Sequence, residues 1–236
     1  MIISSDSTVV IDTGTGDHAD SFAQYVKSYT DNVDYLILTH PHEDHIGGAD
    51  ELLELVHVDN VIMSDAYSET YTFTKILDAI EAADIPVIEA KAGDKYAAGE
   101  IEFTILAPLS EFTDYNDYSI VTKVEFGSSS VIVTGDVEHH SEKLMVERYG
   151  PSGLKADILQ MGHHGSATSN HESFMECIAP EYAVISCGKD NEYGHPHRET
   201  LQKLRDFDIT YYRTDKVGSI VFRTDGKKLS YVEADQ

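Results

Sequence analysis

Apolar residues along the chain fall into short runs that alternate with stretches of helical spacing, and the alternation predicts the elements. Ser7–Asp12 (STVVID) is a β-branched run ending in Thr-Gly-Thr-Gly, which predicts a buried strand entering a tight glycine loop. Asp20–Tyr29 has helical spacing through Phe22, Val26 and Tyr29, and Tyr35–Leu38 (YLIL) is another short buried strand. The same order then repeats, with a helix over Gly48–Val56, a strand at Val61–Met63, a helix over Thr72–Ala83 and a strand at Pro86–Ile88. In the middle, Ile101–Leu106, Ser119–Phe126 and Ser130–Thr134 follow too closely for helices between them. They read as antiparallel strands, the last two joined by a Gly-Ser turn. Alternation resumes with helices over Glu138–Tyr149, His171–Ile178 and Arg198–Phe207 and strands at Asp157–Met161 and Tyr182–Ser186. Strands at Ile209–Arg213, Ser219–Arg223 and Leu229–Val232 close the chain. Two halves that each mix sheet and helix predict an α+β fold with two sheets face to face and helices outside, a four-layer αβ/βα sandwich.

Composition supports one soluble globular domain over 1–236, since 41% of the 236 residues are hydrophobic and 25% charged. No stretch approaches the ~20 apolar residues that span a bilayer, and no basic segment followed by an apolar one opens the chain. The expectation is a protein with no membrane segment in this chain and a slight preference for the cytoplasm. Two cysteines, Cys177 and Cys187, make no disulfide framework and read as reduced thiols.

Charge changes the picture of partners. The formal net charge is −25, and residues 1–188 hold 8 basic against 33 acidic residues while residues 189–236 hold 9 of each. Such a surface repels polyanions at long range. Only the neutral tail, with Arg198, Lys203, Arg205, Arg213, Lys216, Arg223, Lys227 and Lys228, offers a polyanion a place to dock.

The chemistry concentrates in Thr39-His40-Pro41-His42-Glu43-Asp44-His45-Ile46-Gly47-Gly48, directly after a predicted buried strand. Side chains two apart on an extended segment face the same way, so His40 and His42 can pinch one ion. Pro41 biases His40 toward the extended conformation. Asp44 and His45 follow where the chain turns into a helix and can point to a second ion. Imidazole with carboxylate suits zinc, manganese or iron better than magnesium. The plain alternative is an exposed polar loop rich in His and Asp, and the position between a buried strand and Gly-Gly argues against it.

These residues resemble the metallo-β-lactamase superfamily, whose signature is His-x-His-x-Asp-His in this context. Later motifs narrow the resemblance. Val131–Asp136 (VIVTGD), Asp157–Ser166 (DILQMGHHGS), Gly194-His195-Pro196-His197 and Asn116-Asp117-Tyr118-Ser119 are together similar to the β-lactamase-like domain of the competence DNA-uptake protein ComEC and its stand-alone relatives. The resemblance implies two divalent ions, zinc or manganese with iron possible. It assigns the first to His40, His42 and one of His163 or His164, and the second to Asp44, His45 and His195, with Asp136 bridging. Relatives begin with a further strand, expected to be missing before Met1. Many members carry a third histidine about where Asn116 stands, and this chain has none between His57 and His139.

The implied reaction is hydrolysis through a metal-bridging hydroxide, with Asp44 orienting it and His164 or His197 protonating the leaving group. The favoured substrate is a phosphodiester, including single-stranded DNA. The alternatives are a small hydrolysable substrate (a phosphorylcholine ester, cyclic nucleotide, lactone or β-lactam) and a non-catalytic metal-bound sensor or assembly module. His18, His57 and His171 are expected at the surface and His139 and His140 at the start of a helix facing solvent. Asp12 either orients a ligand imidazole or caps the glycine loop.

Overall fold

Valine- and isoleucine-rich runs become strands at the expected places, and the central ones, Thr8–Ile11 and Tyr35–Leu38, are buried almost throughout, where β-branched residues pack well. The computed structural model describes residues 1–233, and the chain divides into two compact units, residues 1–120 and 121–236.

In the first unit the elements run β1 (Ile2–Ile3), β2 (Thr8–Ile11), α1 (Ala19–Tyr29), β3 (Asn32–Val33), β4 (Tyr35–Leu38), α2 (Glu43–Ile46), α3 (Ala49–Leu55), β5 (His57–Val58), β6 (Val61–Met63), α4 (Tyr71–Ala82), β7 (Val87–Glu89), β8 (Lys95–Ala98) and β9 (Ile101–Ala107). Five of the strands form a sheet in the order β1-β2-β4-β6-β7. All its pairs are parallel except β1 with β2. Ala23 and Val26 of α1, Leu52 of α3 and Phe73, Ile76 and Ile80 of α4 pack on Val10, Leu36, Leu38 and Val61, leaving every one of these side chains buried. Thr70 caps α4 by accepting the Phe73 amide at 3.3 Å. Because β2, β4 and β6 are parallel, the loops after them leave from one edge of the sheet, the usual place for a site in α/β architecture.

The second unit runs β10 (Val121–Phe126), β11 (Ser129–Val133), α5 (His139–Leu154), β12 (Ile158–Gln160), α6 (Glu172–Ile178), β13 (Tyr182–Ile185), α7 (Arg198–Asp206), β14 (Thr210–Arg213), α8 (Thr214–Val217), β15 (Ile220–Thr224) and β16 (Leu229–Glu233). As the sequence predicts, β10 and β11 form an antiparallel hairpin across Gly127-Ser128. From β11 the pairing continues in parallel through β12, β13 and β14. The loops after β11, β12 and β13 again share one edge.

Two differences have local causes. The predicted helix at Glu138–Tyr149 continues as α5 to Leu154 across a break at Gly150, whose φ of 56° and ψ of −170° interrupt the helix just before Pro151. The strand β8 was not legible, since Lys-Tyr-Ala-Ala has little strand propensity. Pairing with β9, which sets Tyr96 opposite Phe103 with stacked rings, makes it a strand.

A clamp behind β13 fixes the loop that carries His195. Asp215 accepts both Nε and Nη2 of Arg213 (2.9 and 2.7 Å) and the thiol of Cys187 (3.4 Å), while Thr214 Oγ1 accepts the Cys187 amide at 2.8 Å. The Arg213 guanidinium, helped by Cys187 and Lys216, holds the Asp215 pKa down at about 2. A carboxylate whose pKa is depressed by folding stabilises the fold fully above its unfolded value near 3.8, and that contribution is lost as pH falls through the folded value. We therefore expect wild-type stability to drop between about pH 4 and pH 2 through this group. Asp215→Asn should cost about 2 kcal/mol at neutral pH and flatten that part of the profile, as read by urea unfolding.

Candidate metal centre

In the first unit the candidate ligands occupy the loop between β4 and α2. Pro41 keeps His40 extended, and α2 begins at Glu43, so Asp44 and His45 lie on the first helical turn. Space behind them is closed by glycine. A Cβ on Gly47 would stand 2.6 Å from Gly16 N, and one on Gly48 3.0 Å from Thr13 O. This close approach lets the amides of Thr13 and Gly14 donate to His45 O at 2.7 and 3.1 Å.

Hydrogen bonds then settle which nitrogen each ring exposes. Asp12 Oδ1 accepts the Thr39 amide (2.8 Å), and Asp12 Oδ2 accepts both Thr39 Oγ1 (2.8 Å) and His45 Nδ1 (2.7 Å). Thr39 has one hydroxyl proton and gives it to Asp12, so toward His40 Nδ1, 3.1 Å away, it can only accept. Both His40 and His45 thus carry their proton on Nδ1, leaving Nε2 as a ligand atom. Asp12 is therefore the orienting residue of the two readings open to it. His40 Nε2 lies 3.0 Å from His42 Nδ1, close to the ~3.3 Å that separates two nitrogens on a tetrahedral ion at about 2.05 Å. The donors fit a first-row divalent cation. Asp44 is half-exposed, with Oδ2 4.0 Å from His45 Nε2.

In the second unit the candidates leave from the ends of β11, β12 and β13. Asp136 is buried. His163 and His164 adopt left-handed backbone conformations, with φ of 50° and 55°. That turn aims both rings inward, placing His163 Nε2 3.8 Å and His164 Nε2 3.6 Å from Asp136 Oδ2. Their Nδ1 protons are engaged: His163 donates to Glu138 Oε1 at 3.1 Å and His164 to Ser186 O at 2.8 Å. Gly165 next to them has φ +82°, and a Cβ there would meet Pro196 Cβ at 2.7 Å. That contact brings the His195 loop against the His163-His164 turn. The His195 ring lies 5.4 Å from that of His163 and 6.2 Å from that of His164. Burial first, then the imidazoles of His163, His197 and His164, push the His195 pKa down to about 4. It is neutral at pH 7, the form a metal needs.

His197 stands apart from the ligands in chemistry. Its Nδ1 accepts the Ala167 amide at 2.9 Å and its Nε2 donates to Tyr193 O at 3.2 Å. Both nitrogens serve the loop, and neither is left to protonate a leaving group. Cys187 donates its thiol to Asp215, and burial keeps that thiol protonated. His57 is exposed beside Asp59, His18 is exposed, and His171 caps α6. His139 and His140 open α5 at the surface, as the sequence predicts. Asn116 sits in a turn whose carbonyl accepts the Ser119 amide at 2.9 Å, and Ser119 Oγ lies 3.3 Å from His40 Nδ1. Sequence reasoning missed Thr39, Ser119 and Glu138 as partners of ligand imidazoles. For Glu138 the signal was present, a carboxylate two residues beyond Asp136.

Imidazoles and carboxylates gathered at strand ends, with their outer nitrogens tied to oxygen, make clusters capable of holding a metal ion. The chain belongs to the metallo-β-lactamase superfamily, whose sequence pattern it matches over residues 1–189. It is 36% identical over 192 residues to ComE operon protein 3 of Bacillus subtilis (strain 168), covering 81% of this chain and 24% of that protein. To Recombination protein 2 of Haemophilus influenzae it is 29% identical over 229 residues, covering 93% of this chain and 26% of that one. The chain thus spans about a quarter of the length of the curated relatives it matches. Among solved structures, the metallo-β-lactamase fold protein YhfI from Bacillus subtilis shares the fold with a TM-score of 0.58 at 15% identity, over 89% of this chain and 85% of that one. The expected α+β fold class and the resemblance to the ComEC-like competence group agree with these matches. Among the described residues no helix is long and apolar enough to cross a membrane.

Proposed function

We propose that the chain is a dinuclear metal-dependent hydrolase acting on phosphodiesters, a nuclease of the ComEC-like type, with residues 1–236 forming its single domain. One observation carries this reading: His40, His45 and His163 each have Nδ1 bonded to an oxygen partner, so that Nε2 is the nitrogen each would offer a metal. Imidazoles are held this way where they ligate metals, and the outer partner raises ligand basicity.

In this reading His40, His42 and His163 hold the first ion, Asp44, His45 and His195 the second, and Asp136 is shared. His163 is preferred over His164 because its Nδ1 is backed by the Glu138 carboxylate, not by a neutral carbonyl. Zinc and manganese suit the donor set, as does iron. Two divalent ions held there would supply an activated water at neutral pH and stabilise charge on the phosphoryl oxygens. Asp44, half-exposed, orients the attacking water. His164 keeps its Nδ1 proton on Ser186 O, so its Nε2 would first take up a proton, given up by the attacking water, and then pass it to the leaving oxygen. His197 is a positioning residue.

The net charge of −25 favours a second reading, a small hydrolysable ester that needs no basic groove. Elemental analysis of the purified protein, followed by parallel assays on bis-p-nitrophenyl phosphate, single-stranded DNA and a chromogenic β-lactam, separates the two. We expect two ions per chain and turnover of both phosphodiesters. Turnover of the β-lactam alone would favour the second reading, and no turnover by protein carrying two ions would overturn both.

A further inference from the structure

Three of the eight tail cations that made a polyanion site conceivable are engaged within the fold. Arg213 and Lys216 pair with Asp215, and Lys203 donates to Asn170 O at 2.9 Å. With those three cations committed and a formal net charge of −25, phosphate contacts, the term that ordinarily dominates nucleic-acid binding, are weakened here.

Each unit instead sets a tyrosine ring against a candidate ligand. Tyr193 lies 5.7 Å from His195 with the ring planes only 23° apart, and 79% of it is exposed, so its outer face is open. Its loop is fixed. His197 holds the Tyr193 carbonyl, and Asn191 donates to Gly188 O and His195 O at 2.9 and 2.7 Å while accepting the His195 amide at 2.9 Å. In the first unit Tyr115 packs edge-on against His42 with ring centroids 5.9 Å apart, and its hydroxyl is pinned to Tyr67 O at 2.9 Å. Tyr115 is 37% exposed and Tyr67 66%.

A neutral, held ring with an open face recognises a planar neutral group by stacking, and the planar groups of a phosphodiester polymer are its bases. Duplex buries those faces and a single strand presents them. We propose that Tyr193 and Tyr115 are base-stacking platforms for a single-stranded nucleic acid and carry its affinity in place of a basic groove. The inference rests on the phosphodiesterase reading above and adds the side chains that would hold its substrate.

The test is binding of metal-loaded protein to a fluorescein-labelled oligodeoxythymidylate and to an abasic deoxyribose-phosphate oligomer of equal length, read by anisotropy across a salt series. The thymidylate should bind at least about tenfold more tightly. Tyr193→Ala and Tyr115→Ala should each weaken it about tenfold, whereas the Phe variants and Tyr29→Ala, a change at an exposed tyrosine on α1, should leave it unaltered. The slope of log affinity against log salt should be shallow, below about 2 in magnitude. Equal binding of the two oligomers, or unchanged affinity in both Ala variants with a steep salt slope, would overturn the proposal. Since binding is read without turnover, failure to hydrolyse any phosphodiester would instead overturn the phosphodiesterase reading.

Discussion

His40→Ala and Asp136→Asn should each lower phosphodiester turnover by about 10²- to 10³-fold while leaving the protein folded. The size follows from the several kcal/mol of transition-state charge stabilisation that a bound ion supplies, at 1.36 kcal/mol per factor of ten. His40 is buried with Nδ1 held by Thr39 and Ser119, which turns its Nε2 toward His42, and alanine removes that nitrogen outright. Asp136 is buried, with both His163 and His164 aimed at one of its oxygens. Asparagine there keeps the shape but replaces one anionic oxygen by an amide that donates where a cation should sit. Metal content read alongside turnover makes the assignment specific: fewer than two ions should remain in each variant, and circular dichroism should be unaltered. His57→Ala, a change at an exposed ring beside Asp59, is the matched control and should alter neither. Full activity in either ligand variant would remove that residue from the proposed centre.

Much of this arrangement was readable in the sequence, and the boundary of what was readable is physical. The strands before Asp12, Thr39 and Thr134 announced themselves as short continuous apolar runs, the form taken by strands of a sheet with little exposed surface. The His40–His45 cluster was legible because side-chain direction along an extended segment has a period of two. What could not be read were contacts whose partners are distant in the chain. Asp12 reaches His45 across thirty-three positions and Ser119 reaches His40 across seventy-nine. Both depend on which loops a parallel sheet brings to one edge. Lys95–Ala98 escaped for the same reason, since it is a strand only by virtue of Ile101–Ala107 beside it. Three of the eight tail cations misled in the opposite direction. Counted as a sequence they suggested a neutral docking surface, but Lys203, Arg213 and Lys216 are engaged in holding loops and helices together.

Asp12→Asn should weaken metal binding by about 10- to 100-fold, although the substitution is isosteric and lies outside the proposed ligand set. Asp12 Oδ1 accepts the Thr39 backbone N–H, a donor that cannot reverse its role, so the asparagine oxygen must occupy that position. The amide NH2 then points at His45 Nδ1 and Thr39 Oγ1, which both now donate to Oδ2. His45 can meet that NH2 only by moving its proton to Nε2, the nitrogen proposed to bind metal. Thr39, turned from donor to acceptor on this side, also loses its fixed orientation toward His40. The damage therefore reaches two ligands through one oxygen-to-nitrogen exchange. Glu138→Gln provides the contrast, because a single oxygen, Oε1, accepts both His163 Nδ1 and Thr168 Oγ1. A glutamine oxygen can stand in that place, so the expected loss is only about threefold, from reduced ligand basicity. Competition with a chromogenic chelator measures both variants. Equal losses, or an Asp12→Asn protein that holds metal as tightly as the wild type, would show that Asp12 does not act by fixing the His45 tautomer.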